Sequence, residues 1–158
     1  MRLFCIWKNM KEKIFIVGII AFLLIISFSG CIEDESRIIY VDYRGEADYT
    51  KIQNAIDNAS EGDSVYVRNG TYYELLSIDK SINLIGANKN QTIINYKNSN
   101  KNQHGIIVIK SNNVTIKGFQ IISSAGFSKK VGININSSYN IVTNNILLNN
   151  HHGINISK

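Results

Sequence analysis

The carboxylates that could act as acids, bases or metal ligands are all in one half of this 158-residue chain. All 12 Asp and Glu residues occur at or before Asp79, and the segment from Lys80 to Lys158 contains lysines but no carboxylate. Cleavage of a glycosidic bond requires two carboxyl groups about 5–10 Å apart. A calcium site requires several oxygen ligands, which usually include carboxylates. The second half of the chain therefore cannot build either site from its own side chains.

The remaining carboxylates closest to that half belong to a predicted helix and the strands directly after it. We interpret them as groups that cap backbone segments or face solvent; they are Asp57, Glu61, Asp63, Glu74 and Asp79. The sequence accordingly predicts no catalytic residue and no cofactor, and it favours a protein that is not an enzyme.

The histidines are candidate ligands for a transition metal, but their arrangement argues against such a site. His151 and His152 are adjacent, and adjacent residues of a strand point to opposite faces. His104 is distant from both along the chain, whereas copper and zinc sites use three or more convergent ligands. We interpret the pair as part of a solvated bend and predict no metal site.

The charge of the chain is +5, and its second half is basic. Such a distribution can indicate a nucleic-acid or anionic-polymer partner. The lysines here are scattered among Asn and Ser without clustering and without interleaved aromatic residues, unlike a nucleic-acid-binding surface. We predict a solvated basic face and no nucleic-acid partner.

The first thirty residues have the pattern of an export signal. Basic residues precede an uncharged apolar run over 14–30, and Ser29 and Gly30 lead into Cys31. This order is typical of a secretory signal. Small residues followed by Cys resemble the lipobox of prokaryotic lipoproteins, which implies lipidation of Cys31. The alternative is an uncleaved membrane anchor, because a run of about 17 residues is near the lower limit for crossing a bilayer.

Either alternative places the chain after residue 30 outside the cytoplasm, because the flank before the apolar run is positively charged. We predict a signal or anchor over 1–30, a tether over 31–37 and a repeat domain over 38–158. The run GINISK at the end resembles a coil strand with no polar cap. Solenoids need such caps, so we expect a chain truncated at its C-terminus, with an open coil edge that is available for self-association.

One strand and one helix are expected before the repeats. The run RIIYVDYRG predicts the strand. Apolar residues in YTKIQNAIDNASEGD recur at helical spacing and form one stripe: Ile52, Ala55, Ile56 and Ala59. Thr50 and Gln53 match a capping box at the start of this helix, and Glu61-Gly62-Asp63 is expected to end it.

Short apolar runs separated by Asn and Gly fill the rest of the chain and repeat. SINLIGANKNQTII, NVTIKGFQIIS and NIVTNNILLNN align with Gly86, Gly118 and Asn145 as equivalents. GIIVI, GININ and GINIS align on Gly105, Gly132 and Gly153. Spacings of about 21–32 residues indicate a solenoid, and strands without intervening helices favour an all-β parallel β-helix.

In such a fold the isoleucines and valines point inward at alternate positions, and the asparagines occupy bends or stack along the axis as ladders. Asn69-Gly70 taken alone is typical of a two-residue hairpin turn. In a parallel β-helix the same dipeptide would be a bend between two strands of a coil, and both interpretations remain open at this point.

These residues resemble a known family. The segment from YTKIQNAID through GDSVYVRNGTYYE to INLIG resembles the N-terminal entry of pectin-lyase-like proteins, and GININSSYNIVTNNILLNNHHGINIS resembles NosD-type carbohydrate-binding and sugar-hydrolase repeats. The resemblance implies a right-handed parallel β-helix capped by a short helix, with Asn69-Gly70 as a bend between coil strands. It implies lyase, hydrolase, esterase, adhesive or non-enzymatic roles, and the family's catalytic residues find no matching positions here.

Candidate ligand contacts are therefore aromatic rings and outward amides. Tyrosines could stack on sugar rings, although they also fill β-helix cores, and the candidate contacts are Tyr96, Tyr139, Asn144 and Asn149. Asn-x-Ser/Thr sequons, which are acceptors for N-glycosylation in exported proteins, begin at Asn58, Asn69, Asn90, Asn113, Asn136 and Asn155.

Three functions remain open from the sequence. The first is a surface-anchored, non-catalytic module that contacts polysaccharide. The second is the N-terminal part of a polysaccharide lyase, hydrolase or esterase. The third is a structural or adhesive surface protein that assembles through its coil ends.

Overall fold

A computed structural model describes residues 35–96, 105–123 and 131–157. These residues form one helix and thirteen strands within one compact unit, Ser36–Lys158. The elements are β1 (Ile38–Val41), α1 (Ile52–Asn58), β2 (Ser64–Val67), β3 (Gly70–Tyr72), β4 (Leu76–Ile78), β5 (Asn83–Gly86), β6 (Thr92–Tyr96), β7 (Gly105–Ile109), β8 (Thr115–Lys117), β9 (Gln120–Ser123), β10 (Val131–Ile135), β11 (Ile141–Thr143), β12 (Ile146–Leu148) and β13 (His152–Ile156).

The export-signal prediction falls on the apolar run 14–30 and Cys31, which lie outside the described residues. Within the described ranges, no helix has the length and apolar character needed to cross a bilayer.

The described strands form three sheets, and neighbouring strands within each sheet run parallel. Sheet 1 has the order β1-β2-β5-β8-β11, sheet 2 the order β3-β6-β9-β12 and sheet 3 the order β4-β7-β10-β13. From β2 onward, successive strands of the chain enter sheets 1, 2 and 3 in turn, which defines four coils: coil 1 (β2–β4), coil 2 (β5–β7), coil 3 (β8–β10) and coil 4 (β11–β13). The predicted parallel β-helix is confirmed. Asn69-Gly70 joins β2 and β3 of different sheets and is therefore a bend, not a hairpin.

Inward residues of successive coils stack into one apolar core. In sheet 1, Val65 pairs with Leu84 and Leu84 with Ile116, and all three side chains are fully buried. Burial of one such side chain contributes about 1.5–3 kcal/mol. The period-2 alternation of strands, repeated at each coil, therefore converts the isoleucine-rich sequence into a continuous column.

The observed register corrects two alignments made from the sequence, each by one residue. Thr115 pairs with Ile141, so Asn144 rather than Asn145 is the equivalent of Gly118. Gly118 and Asn144 both have positive φ angles, +83° and +52°, which glycine and asparagine tolerate best. Likewise, Gly105 pairs with Val131 and not with Gly132.

Helix α1 covers the core at the end of coil 1, and its stripe is buried as predicted. The predicted capping box is wrong, because Lys51 stands at the N-cap without a side-chain cap bond. Instead, the Glu74 carboxylate accepts hydrogen bonds from the backbone N–H groups of Ile52 at 2.9 Å and Gln53 at 3.0 Å. A carboxylate is favoured there because the first N–H groups of a helix lack intrahelical partners.

The Gln53 side chain does not take part in the predicted capping box and instead bonds to the backbone of β4. Its amide donates to the Ser77 carbonyl at 3.1 Å and accepts from the Ser77 N–H at 2.9 Å. The side chain thereby satisfies the backbone of β4 at the edge of sheet 3, where a neighbouring strand would otherwise be needed. The helix ends at Asn58, before the predicted stop at Glu61.

Asparagine side chains hold the coils together in two ways. Asn155 donates to Asn134 on the adjacent strand at 2.8 Å, which is the predicted ladder. Asn145 instead bonds to backbone, accepting from the Phe119 N–H at 3.0 Å and donating to the Ile116 carbonyl at 2.9 Å. Both arrangements satisfy polar groups of one coil with an amide from the next.

Candidate functional site

A cluster of charged side chains surrounds Asp42, which is fully buried. Arg44 donates to the two carboxylate oxygens of Asp42 at 3.2 and 3.1 Å, and Arg68 adds a bond of 3.3 Å. The Arg44 side chain, with its backbone N–H, outweighs the effect of burial and lowers the pKa of Asp42 to about 2. This carboxylate is held ionised by two guanidinium groups, so it has a structural role and is unsuited to accept a proton near neutral pH.

A second buried carboxylate, Asp63, connects β1 to the loop after α1. It accepts from the backbone N–H groups of Arg37 and Ser60, both at 2.8 Å, and from the Arg37 guanidinium at 2.8 Å. Burial alone would raise the pKa of Asp63, but these donors lower it overall. Glu61 has the predicted role of satisfying the backbone, because its carboxylate accepts a hydrogen bond from the Ser81 N–H at 2.6 Å.

No group of three or more His, Cys, Asp or Glu side chains converges within the described ranges. His151 and His152 are exposed and their rings pack edge to face with centroids 4.3 Å apart. His104 lies outside those ranges.

The outward face of sheet 1 offers an aromatic surface. Tyr40 of β1 pairs with Tyr66 of β2, and their rings meet edge to face with centroids 5.7 Å apart. Tyr40 is 42% exposed and Tyr66 is partly exposed. Two amphipathic rings that remain in water on a rigid sheet can accept the apolar face of a sugar ring.

The tyrosines continue as a column along the solenoid axis. Tyr66 pairs with Ile85, Ile85 with Lys117 and Lys117 with Thr143. A parallel polar column beside it begins at Ser64, whose Oγ accepts from the Asn83 amide at 3.3 Å. Neighbouring strands are about 4.8 Å apart. The face therefore presents two rings, one apolar residue, one cation and one hydroxyl in a line, with hydrogen-bonding groups alongside. We call the column Tyr40, Tyr66, Ile85, Lys117 and Thr143 the tyrosine column.

The ligand contacts predicted from the sequence do not lie together. Tyr96 is 4% exposed and belongs to the core, because Thr92, Ile94 and Tyr96 alternate inward along β6. Burial removes Tyr96 from the candidate contacts.

The other three predicted contacts occupy three different bends of the last coil. Tyr139 precedes β11, Asn144 lies between β11 and β12, and Asn149 lies between β12 and β13. All three are exposed and have left-handed backbones, with φ of +59°, +52° and +56°. They therefore cannot form one site together, although each is accessible separately.

The six sequon asparagines, in contrast, are all exposed. Four lie in bends, one at the end of α1 and one on β13; they are Asn69, Asn90, Asn113, Asn136, Asn58 and Asn155.

Sequence reasoning missed Tyr40. The signal was present, because the strands IIYV and SVYV both carry tyrosine at the third position. Only the pairing of β1 directly on β2 makes these positions equivalent, and a helix separates the two strands in the chain.

Comparison with known proteins places the fold in a class. No protein-family model matches the chain. Solved structures share the fold: pectin methylesterase from carrot has a TM-score of 0.61 at 17% identity, covering 68% of this chain and 38% of the carrot chain. Pectin methylesterase PemA from Erwinia chrysanthemi has a TM-score of 0.51 at 13% identity, covering 72% of this chain and 45% of that one. The protein therefore shares the right-handed parallel β-helix fold, the pectin-lyase-like fold, of these structures.

Sequence comparison finds one relative that is a cell surface protein. A cell surface glycoprotein of Methanothermus fervidus is 42% identical over 76 residues, which is 47% of this chain and 12% of the glycoprotein. The chain thus corresponds to a small part of this relative's length and to less than half of the carrot enzyme.

Proposed function

We propose that the chain is an exported, membrane-anchored β-helix module that binds cell-surface polysaccharide without cleaving it. The observation that carries the proposal is the pair Tyr40 and Tyr66, two partly exposed rings in contact on one rigid sheet face. A sheet fixes both rings before a ligand arrives, so that little ordering cost accompanies binding. The cell-surface relative and the expected export signal support the location, and the resemblance of the repeats to NosD-type sequences supports a carbohydrate ligand.

Anchoring is part of the proposal. Lipidated Cys31 would hold the module at a membrane, and the uncleaved apolar segment 14–30 is the alternative. Mass spectrometry of the membrane-extracted chain distinguishes them, because lipidation removes residues 1–30 and adds a diacylglyceryl group to Cys31.

The polysaccharide that we propose is anionic. Lys117 lies on the tyrosine column, and the chain from Lys80 onward contains lysines without any acidic residue. A surface with one sign of charge attracts a polymer of the opposite sign. The structural neighbours are named for pectin, and polygalacturonate, its de-esterified anionic backbone, is therefore a suitable probe.

The experiment is calorimetric titration of the solubilised full chain with polygalacturonate, with uncharged dextran of similar length as the control. The proposal expects saturable binding of polygalacturonate, weaker or no binding of dextran, and an unchanged polymer length after incubation. Absence of binding to polygalacturonate and to methyl-esterified pectin would contradict it.

An enzymatic role within a longer protein is the second candidate. It is supported by the structural similarity to pectin methylesterases and by the share of the carrot enzyme that this chain spans, 38%. Release of methanol from methyl-esterified pectin by a longer gene product containing this segment, or by the chain itself, would favour it.

Self-association through the coil end is the third candidate. Ile154 and Ile156 pair with the inward residues Ile133 and Ile135, yet Ile156 is 70% exposed. Apolar residues at core positions that remain accessible favour contact with another surface. Size-exclusion chromatography with light scattering tests this idea, and a monomer across the accessible concentration range would count against it.

A further inference from the structure

Two residues with left-handed backbones stack at the corner that leads from sheet 3 into sheet 1. Asn113 and Tyr139 occupy equivalent positions in successive turns, because the flanking strands pair Ile109 with Ile135 and Thr115 with Ile141. Their φ angles are +56° and +59°. Equivalent residues in stacked coils are about 4.8 Å apart, so the two side chains leave the corner next to each other.

Hydrogen bonds fix the two bends on one another. The Asn113 N–H donates to the Ser138 carbonyl at 3.3 Å, and the Ser138 N–H donates to the Asn112 side chain at 2.8 Å. The Val114 N–H donates to the Asn140 side chain at 2.9 Å. The corner is therefore a rigid platform, not a loose loop.

Tyr139 is an unusual residue for such a position. A left-handed backbone disfavours a bulky side chain relative to Asn or Gly. The ring is 83% exposed, and within the described part of the chain it makes no hydrogen bond or aromatic contact. Most of the ring therefore remains available for a contact from outside the polypeptide, at a position where the backbone favours a smaller residue.

Asn113 is the first residue of the sequon Asn113-Val114-Thr115. Its side chain is exposed and, among the described residues, has no hydrogen-bond partner. The amides of Asn58, Asn69 and Asn155 each already donate a hydrogen bond. Val114 is fully buried and anchors the sequon, while Thr115 lies on the outward face of sheet 1.

We infer that Asn113 carries an N-linked glycan whose first sugar packs on the ring of Tyr139. This inference rests on the extracytoplasmic location in the proposed function. The donor is an oligosaccharide on a polyprenyl phosphate or pyrophosphate, and the cell supplies the transferase. The bond from sugar C1 to the phosphate oxygen breaks and a bond from C1 to Asn113 Nδ2 forms. The amide loses one proton and the lipid phosphate leaves with the electron pair.

Tryptic peptide mapping tests the modification. The full chain is produced in a prokaryotic host with N-glycosylation, in which a reporter glycoprotein is shown to be modified. Cleavage after Lys110 and Lys117 releases SNNVTIK, which contains this sequon alone. We expect the glycan mass on this peptide, its loss in Thr115→Ala and its retention in Thr115→Ser.

An unmodified SNNVTIK peptide from a chain that surface protease reaches overturns this inference and leaves the proposed function standing. Failure of the chain to reach the surface at all contradicts the location on which both depend. Modification confined to other sequons likewise overturns the assignment of Asn113.

The packing of the sugar on Tyr139 has its own test. In the unglycosylated Thr115→Ala chain, Tyr139→Asn relieves the left-handed backbone and should raise the Tm. In the glycosylated chain the same change also removes the sugar contact, so the gain should be smaller by about 2–4 °C or reversed. Equal Tm changes in the two chains would contradict the contact.

Discussion

The backbones of Gly86 and Gly118 lie against each other where coil 2 stacks on coil 3. A Cβ atom built on either glycine would overlap the carbonyl oxygen of the other. Gly118 in addition has a φ of +83°, in the left-handed region that disfavours a side chain. This pair sets how closely the two coils approach at the bend from sheet 1 to sheet 2.

Replacing Gly118 with alanine should therefore lower the free energy of unfolding by about 2 kcal/mol or more. Backbone strain and overlap with the Gly86 carbonyl both contribute. Chemical denaturation followed by circular dichroism measures the change.

Two further glycines separate these contributions. Gly62 has a φ of +86° with nothing within 4 Å of a built Cβ, so Gly62→Ala reports backbone strain alone, about 1 kcal/mol. At Gly153 the nearest atom to a built Cβ is 3.9 Å away, and Gly153→Ala should be nearly neutral. Equal effects of Gly62→Ala and Gly118→Ala would contradict the close approach of the coils.

The cap of helix α1 makes a second prediction. Glu74→Gln keeps the size of the side chain but weakens the bonds to the Ile52 and Gln53 N–H groups, because a neutral amide is a weaker acceptor than a carboxylate. We expect a loss of about 1 kcal/mol in the free energy of unfolding.

Thr50→Ala is the matched control, because the sequence predicts Thr50 as the capping residue but the structure shows no side-chain cap bond at the start of this helix. Its effect should stay within about 0.5 kcal/mol. If Thr50→Ala lowered the free energy of unfolding more than Glu74→Gln, the result would contradict the Glu74 cap and support the capping box predicted from the sequence.

The corrected register makes a third prediction, about two adjacent asparagines. Asn144 has the left-handed backbone, so Asn144→Gly should be neutral or slightly stabilising. Asn145 bonds to Phe119 and Ile116 of the neighbouring coil, so Asn145→Gly should cost about 1–3 kcal/mol. Thermal unfolding of both variants measures the two losses of stability. A larger loss in Asn144→Gly than in Asn145→Gly would support Asn145 as the residue at the bend.

The sequence predicted the strands, the core and the stacking, because each strand alternates and each coil repeats the alternation. Val65, Leu84 and Ile116 are buried for that reason. The sequence could not determine the register between coils to within one residue, because both competing alignments place isoleucine and asparagine at plausible positions. The choice between Asn144 and Asn145 depends on which backbone is left-handed, and this is a property of the stacked bend.

Contacts between distant segments were equally beyond a local pattern. Glu74 reaches the first N–H groups of α1 from the segment between β3 and β4. Tyr40 meets Tyr66 only because β1 pairs with β2, although α1 separates these strands in the chain. The sequence analysis therefore did not identify Tyr40 as part of the tyrosine column. It also proposed Tyr96 as a ligand contact, although the alternation with Ile94 along β6 points Tyr96 into the core.

Acid should destabilise the fold through Asp42. Its pKa is about 2 in the folded chain against 3.8 ordinarily, so the unfolded chain binds this proton first as the pH falls. The stability from Asp42 is complete above about pH 4 and is lost as the pH falls toward 2. Urea unfolding at pH 5, 3.5 and 2.5 should show this decline.

In Asp42→Asn the stability at pH 5 should be lower and the decline between pH 5 and 2.5 shallower, because the titrating group is gone. Asp63, whose pKa is also lowered, leaves a residual decline in the same direction. A variant profile parallel to that of the unmodified chain would contradict the role of Asp42.

The central claim, that the tyrosine column binds polysaccharide, is tested most directly by one affinity comparison. Calorimetric titration with polygalacturonate is performed on the full chain, on the double variant Tyr40→Ala/Tyr66→Ala and on Tyr73→Ala, which removes a similarly exposed ring from the segment between β3 and β4. Circular dichroism first establishes that all three are folded. We predict a loss of affinity of about tenfold or more in the double variant and unchanged affinity in Tyr73→Ala. Unchanged affinity in the folded double variant would contradict the account.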